Sequence, residues 1–447
     1  MAGRQECEFG QLLAEPLRNG LTRPTRERGQ GYRMVNMGEL FTYSRIPDVP
    51  MDRVMVSETE GKKYFLLSGD LLFARQSLVL EGAGRCSIFM GSKEPVTYEG
   101  HLIRARMNRQ IANPLFYYYF FRSFSGRATM ASIVEQVAAA GIRASDLTRL
   151  HVPHPSLADQ TAIARILGIL DDKIDLSRRV NETSEAMARA LFKSWFVDFD
   201  PVRAKAEGRS HSIPKVLADK FPVRMVDSDL GEIPEEWQIG RLGDLVSATK
   251  GRSYRSDELT ESDTAMVTLK SFVRKGGYRP DGLKSFKGEY KPDQIVKPGE
   301  IVIACTDVTQ AAEVVGRPAI VLATERFRTL VASLDALIVR PLDTRVSVPF
   351  LYFLGGTEAF VSHTYSYTSG TTVLHLSKDA VPSFRFPLPP AGLVKLFDSV
   401  ADVALRQMQA TASESSTLFS LRDTLLPKLI SGELGIKDAE KFIARRL

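Results

Sequence analysis

The sequence predicts an α+β protein in which two repeated globular domains are separated by two long antiparallel helices in a pseudo-twofold arrangement. Three observations support this prediction. The chain has 447 residues, enough for two to four domains of ordinary size. A phrase of strand-like composition occurs twice. A long stretch with helical periodicity follows each copy of that phrase.

The repeat covers most of the chain. The stretch GDLLFARQSLVLEGAGRCSIF at 69–89 returns as GEIVIACTDVTQAAEVVGRPAIV at 299–321. Other matched segments keep an offset near 230–235 residues, up to 140–155 against 373–389. Each copy has short apolar runs broken by Gly, Pro, Asp and Ser, a pattern typical of strands with helical insertions. Two copies of one structural unit are therefore expected.

Each copy ends in a Pro-rich exit and then a helical stretch, at 156–199 and 391–430. Ser156 is a predicted N-cap, with Asp159 accepting first-turn amides. Residues spaced three and four apart form a stripe that suits a helix pair. Its members are Ile163, Ile166, Leu170, Ser177, Val180, Ser184, Met187 and Leu191 in the first stretch, and Phe397, Val400, Ala404, Thr411, Leu418, Leu421 and Leu425 in the second.

The composition favours an anionic partner and argues against several other classes of protein. The formal net charge is +6 and the isoelectric point is near 9.1. The three cysteines, Cys7, Cys86 and Cys305, are far apart, which argues against a disulfide scaffold or a zinc cluster and fits a reducing cytoplasm. The sequence contains no apolar run long enough for a membrane span.

The segment from LADQTAIARILGILDDKIDLSRRVNETSEAMARALFKSWFVDFDPVRAKAEG, with DSDLGEIPEEWQIGRLGDL and LRDTLLPKLISGEL, resembles the specificity subunit of a type I restriction–modification system. The resemblance covers essentially the whole chain. With the repeat, it gives the following expected domains: a first target-recognition domain at 1–155, a central spacer helix at 156–200, a linker at 201–231, a second target-recognition domain at 232–389, a distal spacer helix at 390–435 and a tail at 436–447.

The resemblance implies a function in DNA recognition. It implies that the two domains read double-stranded DNA at an asymmetric bipartite target, and that the helices dock two modification subunits, which bind S-adenosylmethionine and methylate adenine. It also implies restriction subunits that use ATP and Mg²⁺ and cleave, so no cofactor is expected in this chain. The alternative is a scaffold whose helices dock partner proteins without any DNA.

The sequence gives little support for catalysis by the chain itself. Residues 113–116, NPLF, resemble the Asn-Pro-Pro-aromatic motif of adenine methyltransferases, but Leu115 stands in place of the second Pro. The repeat partner VPFL at 348–351 favours a helix start with Pro in its first turn. The sequence has no phosphate-binding GxxxxGK[ST] loop and no metal-binding HExxH or HxH pair. No catalytic residue and no metal ligand is therefore predicted.

Candidate DNA contacts fall at matching places in the two copies, because base edges and phosphates are met by basic, amide and hydroxyl groups. Three pairs of segments qualify: the loops at 16–33 and 248–258, the loops within the repeated phrase, and the segments 138–146 and 367–379. A solvated loop or a structural hairpin is the alternative for each. The residues singled out are Arg18, Asn19, Arg23, Arg26, Arg28, Arg75, Gln76 and Arg143 in the first copy, and Lys250, Arg252, Ser253, Tyr254, Arg255, Thr306, Thr371, Thr372 and His375 in the second.

Two further aromatic features carry predictions. Trp195 and Phe196 end the first long helix, where they either anchor a partner subunit or pack on the second domain. The run FYYYFF at 116–121 is predicted to be core rather than a surface that stacks on bases, because its spacing is helical.

Overall fold

The structure is a computed structural model that describes residues 6–77, 80–136, 140–209, 214–309 and 311–444. The chain divides into two compact units. Unit 1 comprises Met1–Ile174 and Leu418–Leu447, and unit 2 comprises Asp175–Thr417. Each unit therefore contains one globular part together with segments of both long helices.

Unit 1 mixes short strands with short helices. Its strands are β1 Glu6–Glu8, β2 Arg18–Asn19, β3 Arg28–Val35, β4 Arg45–Ile46, β5 Arg53–Val54, β6 Leu71–Ala74, β7 Gln76–Ser77, β8 Cys86–Phe89, β9 Val96–Tyr98, β10 Leu102–Ala105, β11 Glu135–Gln136, β12 Ala140–Gly141 and β13 His151–Pro153. Its short helices are α1 Met37–Thr42, α2 Glu58–Tyr64, α3 Pro114–Arg122, α4 Phe124–Ala131 and α5 Ala144–Arg149. The first long helix, α6, spans Leu157–Phe196.

Unit 2 follows the same plan. Its helices include α7 Asp200–Ala206, α8 Lys215–Ala218, α9 Val348–Gly355 and α10 Glu358–Ser366. The second long helix, α11, spans Ala391–Ser431, and α12 spans Ile436–Ala444 in unit 1. The strands are β14 Met225–Ser228, β15 Gly231–Pro234, β16 Gln238–Arg241, β17 Val246–Lys250, β18 Thr264–Val267, β19 Lys284–Ser285, β20 Ile295–Val296, β21 Ile301–Ala304, β22 Thr306–Asp307, β23 Pro318–Ile320, β24 Thr329–Ala332, β25 Ala336–Pro341, β26 Thr368–Ser369, β27 Leu374–Leu376 and β28 Arg385–Leu388.

Strand pairing confirms the internal repeat. The order β2-β10-β6-β8 in unit 1 corresponds to β17-β25-β21-β23 in unit 2. The parallel pair β3–β9 corresponds to the parallel pair β18–β24, and the terminal pair β1–β13 to β16–β28. A small sheet β11-β12-β7 corresponds to β26-β27-β22. The α+β class and the two long helices that the sequence predicts are therefore confirmed; the domain limits stay a prediction.

The repeated phrase begins with the same turn in both units. Gly69 has φ +92° and Gly299 has φ +89°, and both values lie in the backbone region that favours glycine. The carboxylate of Asp70 accepts the guanidinium of Arg106 at 2.7 Å, and that of Glu300 accepts Arg340 at 2.6 Å. In both units the glycine and the acid thus form a turn, and the carboxylate of the acid forms an ion pair with an arginine of the same domain.

Helix α3 begins as the sequence predicts. The side chain of Asn113 accepts the N–H groups of Leu115 and Phe116 at 3.0 and 3.4 Å, and Pro114 occupies the first turn. The aromatic run that follows is buried throughout, as predicted, and lies in the unit 1 core with α6 residues such as Ile163.

The predicted stripe along α6 is correct at its start and at Leu191, which packs on the unit 2 core, and wrong at Val180 and Met187. Leu170 and the residues of the stripe before it are buried, but Val180 is 40% exposed and Met187 is 69% exposed. The buried face of α6 instead passes through Asn181, which is half-buried, and reaches Ala188, which is buried. Spacings of three and four both satisfy a helical face, so the sequence pattern allowed the wrong choice. In the second stripe, Val400 is likewise exposed, at 46%.

The segment between α6 and the second domain contains ordered structure. It includes α7, α8, β14 and the start of β15, and Val202 and Phe221 lie in the unit 2 core at 0% and 2% exposure. Among the described residues, no helix is long and apolar enough to cross a membrane.

Candidate nucleic-acid interface

In unit 1, a small sheet brings together two of the predicted contact segments. Gln76 of β7 lies opposite Gly141 of β12, so the loop of the repeated phrase and the segment 140–143 share one edge. Gln76 is exposed. Arg143 follows two residues after the strand, its side chain is 68% exposed, and it donates to Glu135 at 2.7 Å. An amide and a guanidinium thus lie on one surface, and an exposed ion pair of this kind costs little to exchange for a phosphate.

Unit 2 has the equivalent sheet. His375 of β27 lies opposite Thr306 of β22. His375, Thr371 and Thr372 are exposed. Thr306 is 8% exposed and its hydroxyl donates to Asp335 at 2.7 Å, so this residue holds the sheet to the neighbouring turn and does not face solvent. The prediction of a DNA contact at Thr306 is therefore corrected to a structural role.

The arginines of the 16–33 loop differ in their exposure and in whether a carboxylate pairs with them. Arg23 donates to Glu60 at 2.6 Å, and this hydrogen bond is the main reason that the pKa of Glu60 falls to about 2. Arg28 lies 3.1 Å from Asp52. Arg26 is 84% exposed, with Glu27 3.9 Å away. Arg26 is thus the most accessible cation of this loop, and two others are held by carboxylates.

The start of this loop adjoins the phrase loop. Arg18 and Asn19 form β2, and Asn19 is exposed. The N–H of Gly100 donates to the carbonyl of Leu21 at 2.9 Å, and the carbonyl of Gly100 accepts Arg75 at 3.5 Å. The first and second predicted contact groups of unit 1 therefore meet at the β9–β10 turn.

The corresponding loop of unit 2 begins in the same way. Lys250 ends β17 and is exposed, and the N–H of Gly251 donates to Ala336 at 3.2 Å, next to the aspartate that binds Thr306. Arg252 donates to Glu258 at 2.7 Å. A backbone hydrogen bond from Arg255, together with the charge of Arg252, outweighs burial and lowers the pKa of Glu258.

The rest of this loop alternates held and free side chains. Ser253 is exposed. The ring of Tyr254 lies 5.5 Å from the ammonium of Lys284 and packs against a small apolar cluster. Arg255 is 81% exposed, with Asp257 3.5 Å away. Arg255 is thus the counterpart of the accessible arginine of unit 1.

The predicted partner-binding pair is buried. Trp195 and Phe196 are 2% and 5% exposed, and their rings lie 6.5 and 5.5 Å from that of Phe397 on α11. Phe196 also contacts Trp237 at 6.0 Å. Of the two alternatives that the sequence leaves open, packing on the second domain describes these side chains, because aromatic rings distant in sequence cover them.

Asp307, which the repeat places with Thr306 among the candidate contacts of the phrase loop, is a buried carboxylate that organises a loop. Asp307 ends β22 and is 1% exposed. Its carboxylate accepts the N–H groups of Thr309 and Val314 at 2.6 Å and that of Val315 at 3.0 Å. Burial opposes ionisation, but these hydrogen bonds and one from the Thr309 side chain outweigh it and hold the pKa of Asp307 below its usual range.

The described residues contain no group of three or more His, Cys, Asp or Glu side chains placed to hold a metal ion. The ring nitrogen of His154 lies 3.1 Å from the hydroxyl of Tyr117. This contact is a hydrogen bond between two side chains of unit 1. The features of these segments that could meet a ligand are exposed cations, amides and hydroxyls.

Comparison with known proteins agrees with the repeat and the fold. Residues 28–185 match the family described as the type I restriction modification DNA specificity domain. The type I restriction enzyme HindI specificity subunit of Haemophilus influenzae is 24% identical over 63% of this chain and 68% of its own. The MjaIX specificity subunit of Methanocaldococcus jannaschii is 23% identical over 72% and 69%.

A solved structure shares the fold over nearly the whole length. The type I restriction–modification S subunit from M. genitalium aligns with a TM-score of 0.53 and 14% identity, covering 95% of both chains. The family match begins at β3 and extends into α6, so it joins the domain that carries the first candidate interface to the long helix. In sequence and in fold, the chain is therefore similar to the specificity subunits of type I restriction–modification systems.

Proposed function

We propose that the chain recognises an asymmetric bipartite target in double-stranded DNA and directs adenine methylation and restriction by partner subunits. The observation that carries the proposal is the paired small sheet, β11-β12-β7 in unit 1 and β26-β27-β22 in unit 2. Each sheet gathers segments that the sequence had singled out separately. Because the side chains differ between the units, each unit meets a different base sequence.

The partner subunits complete this function. In the proposal, two modification subunits that bind S-adenosylmethionine and restriction subunits that use ATP and Mg²⁺ assemble with the chain in the cytoplasm. The chain itself contributes recognition and no catalytic group. Support comes from the kinship with the HindI and MjaIX specificity subunits, whose names place them in restriction enzymes.

Footprinting of the complex between the chain and its modification subunits tests the proposal. Two protected stretches, separated by a gap of about one helical turn, are expected if two domains read one duplex. A single continuous protected stretch contradicts a bipartite target. No protection in any duplex contradicts DNA recognition and favours a protein scaffold.

A further inference from the structure

A tight turn in unit 2, Val273–Tyr278, carries adjacent basic residues that the DNA-contact prediction did not include. Its sequence is VRKGGY. An isolated bridge between Phe272 and Tyr278 closes it. Inside it, the N–H of Gly276 donates to Val273 at 3.1 Å, and the N–H of Val273 donates to Gly277 at 3.0 Å. We call residues 273–278 the Lys275 turn.

The backbone of the Lys275 turn is fixed in an unusual conformation. Lys275 has φ +67°, in the left-handed region that side chains other than glycine rarely adopt, and two glycines with φ +110° and +103° follow it. The N–H of Lys275 donates to the carbonyl of Glu313 at 2.8 Å, and that of Gly277 to Pro318 at 3.3 Å. A conformation of this kind persists where surrounding contacts determine it, and such residues cluster at functional sites.

These contacts tie the Lys275 turn to the candidate interface. Glu313 lies in the segment that Asp307 folds through its hydrogen bonds to Val314 and Val315. Asp307 itself belongs to β22, which pairs with β27 and so with His375. Hydrogen bonds therefore connect the turn, the folded segment and the small sheet within unit 2.

The turn presents positive charge to solvent. The Arg274 side chain is 73% exposed, and its guanidinium lies 3.6 Å from Glu313. Lys275 is exposed, and no carboxylate pairs with its ammonium in the part of the chain that the structure describes. Because the backbone of the turn is already fixed, a phosphate that binds these two cations restricts their side chains but does not have to order the loop.

We infer that Arg274 and Lys275 bind the phosphate backbone of duplex DNA and thereby orient unit 2, so that Thr371, Thr372 and His375 lie along a groove. This inference rests on the proposed function, and it adds a set of positioning contacts to it. Phosphate contacts fix register and orientation without reading sequence. The alternative that the experiment must exclude is that the Lys275 turn is a solvated hairpin and binds no phosphate.

The test measures binding of the full-length chain to a fluorescein-labelled 40-base-pair duplex of random sequence, by anisotropy between 50 and 300 mM KCl. The variant is Arg274→Ala with Lys275→Gly, because glycine accepts φ +67° without strain and the turn keeps its backbone. The matched control is Lys291→Ala with Lys297→Ala, which removes the same charge. Both control lysines are exposed and lie near the opposite end of β21.

The slope of log affinity against log salt should fall by about 1.8, or roughly 0.9 for each phosphate that the variant no longer neutralises, and affinity at 100 mM KCl should fall by about tenfold or more. The control pair should leave the slope nearly unchanged. Lys275→Arg keeps the charge and should retain the wild-type slope.

Two failures are distinguishable. Equal slopes for the turn variant and for the control pair would overturn the inference while the wild-type chain still binds the duplex. A wild-type chain that does not bind, or that binds with no dependence on salt, would contradict the proposed function itself.

Discussion

At the scale of single residues, buried carboxylates shape the loops that carry the candidate contacts. Asp307 satisfies three backbone N–H groups, in Thr309, Val314 and Val315, that otherwise lie in a turn without a regular ladder. A carboxylate offers two acceptor oxygens and no donor, so it suits this arrangement of donors alone. The charge of Asp307 therefore organises the loop between β22 and β23.

Replacement of Asp307 with Asn should destabilise the protein by about 1–3 kcal/mol at pH 7, because an amide NH₂ then faces a backbone N–H. The folded-state pKa of Asp307 lies below its usual value, so the contribution of its ionised form is present above the unfolded pKa. That contribution is lost as the pH falls through the folded pKa. Urea unfolding should give a constant difference from pH 7 to about pH 4 and a smaller one below it. A difference that grows on acidification contradicts this account.

A second buried network lies in unit 1. Asp70 is 2% exposed and accepts Arg106 at 2.7 Å, and Glu15 accepts both Arg106 at 2.8 Å and Arg104 at 2.5 Å. Arg104 is 1% exposed. The two arginines are thus compensated by two acids close to the turn that opens the repeated phrase.

Asp70→Asn should cost about 2 kcal/mol in the free energy of unfolding, because the largely buried guanidinium of Arg106 loses one of its two carboxylate partners. The measurement is urea unfolding of the full chain at pH 7. Asp343→Asn, which breaks an exposed pair with Arg345, is the control and should change stability little. Equal effects of the two substitutions would show that burial does not decide the outcome.

At the scale of elements, the sequence predicts local structure well where a local signal or the internal repeat allows one assignment only. Pro114 and its flanking Asn113 identify the start of α3, and the matched strands follow from the repeat. The register along α6 fails at Val180, where spacings of three and four fit equally. The burial of Trp195 and of Thr306 depends on residues far away in the chain, so the local sequence pattern cannot predict it.

The segments of α6 and α11 in unit 1 are joined by a polar cluster. Asp171 is 6% exposed, accepts the hydroxyl of Tyr119 at 2.8 Å and accepts Arg422 of α11 at 3.0 Å. Polar groups at a helix interface cost stability and can fix which turns face each other. This cluster therefore fixes the register between the two helix segments.

Arg422→Met should destabilise the protein by about 3 kcal/mol, because Asp171 stays buried without its cation. The double variant with Asp171→Leu should lose less than the sum of the two single effects, since both charges are then absent. A double-mutant cycle from urea unfolding measures the coupling. Strict additivity would mean that the pair does not interact.

At the scale of the whole molecule, two units share one layout and present different side chains. In unit 1, Gln76 lies in the small sheet and Arg143 follows β12 by two residues. In unit 2, His375 lies in the small sheet, and Thr371 and Thr372 lie in the turn between β26 and β27. If each unit reads its own part of a target, a change in one small sheet affects only that part.

Gln76→Ala and His375→Ala should therefore relax specificity at different halves of the target, each costing about 1–3 kcal/mol against the preferred bases. Selection of bound duplexes from a random pool, with the complex of the chain and its modification subunits, measures the preference at each position. Relaxation of the same positions by both variants would contradict separate reading by the two units.

The central claim, that this chain selects a two-part DNA target, is tested most directly by single-molecule sequencing of adenine methylation. The genome is compared with and without the chain while the modification subunits are present. The account predicts a methylated motif of two specified parts separated by a fixed number of unspecified base pairs, absent when the chain is deleted. An uninterrupted motif, or methylation that is unchanged without the chain, would contradict it.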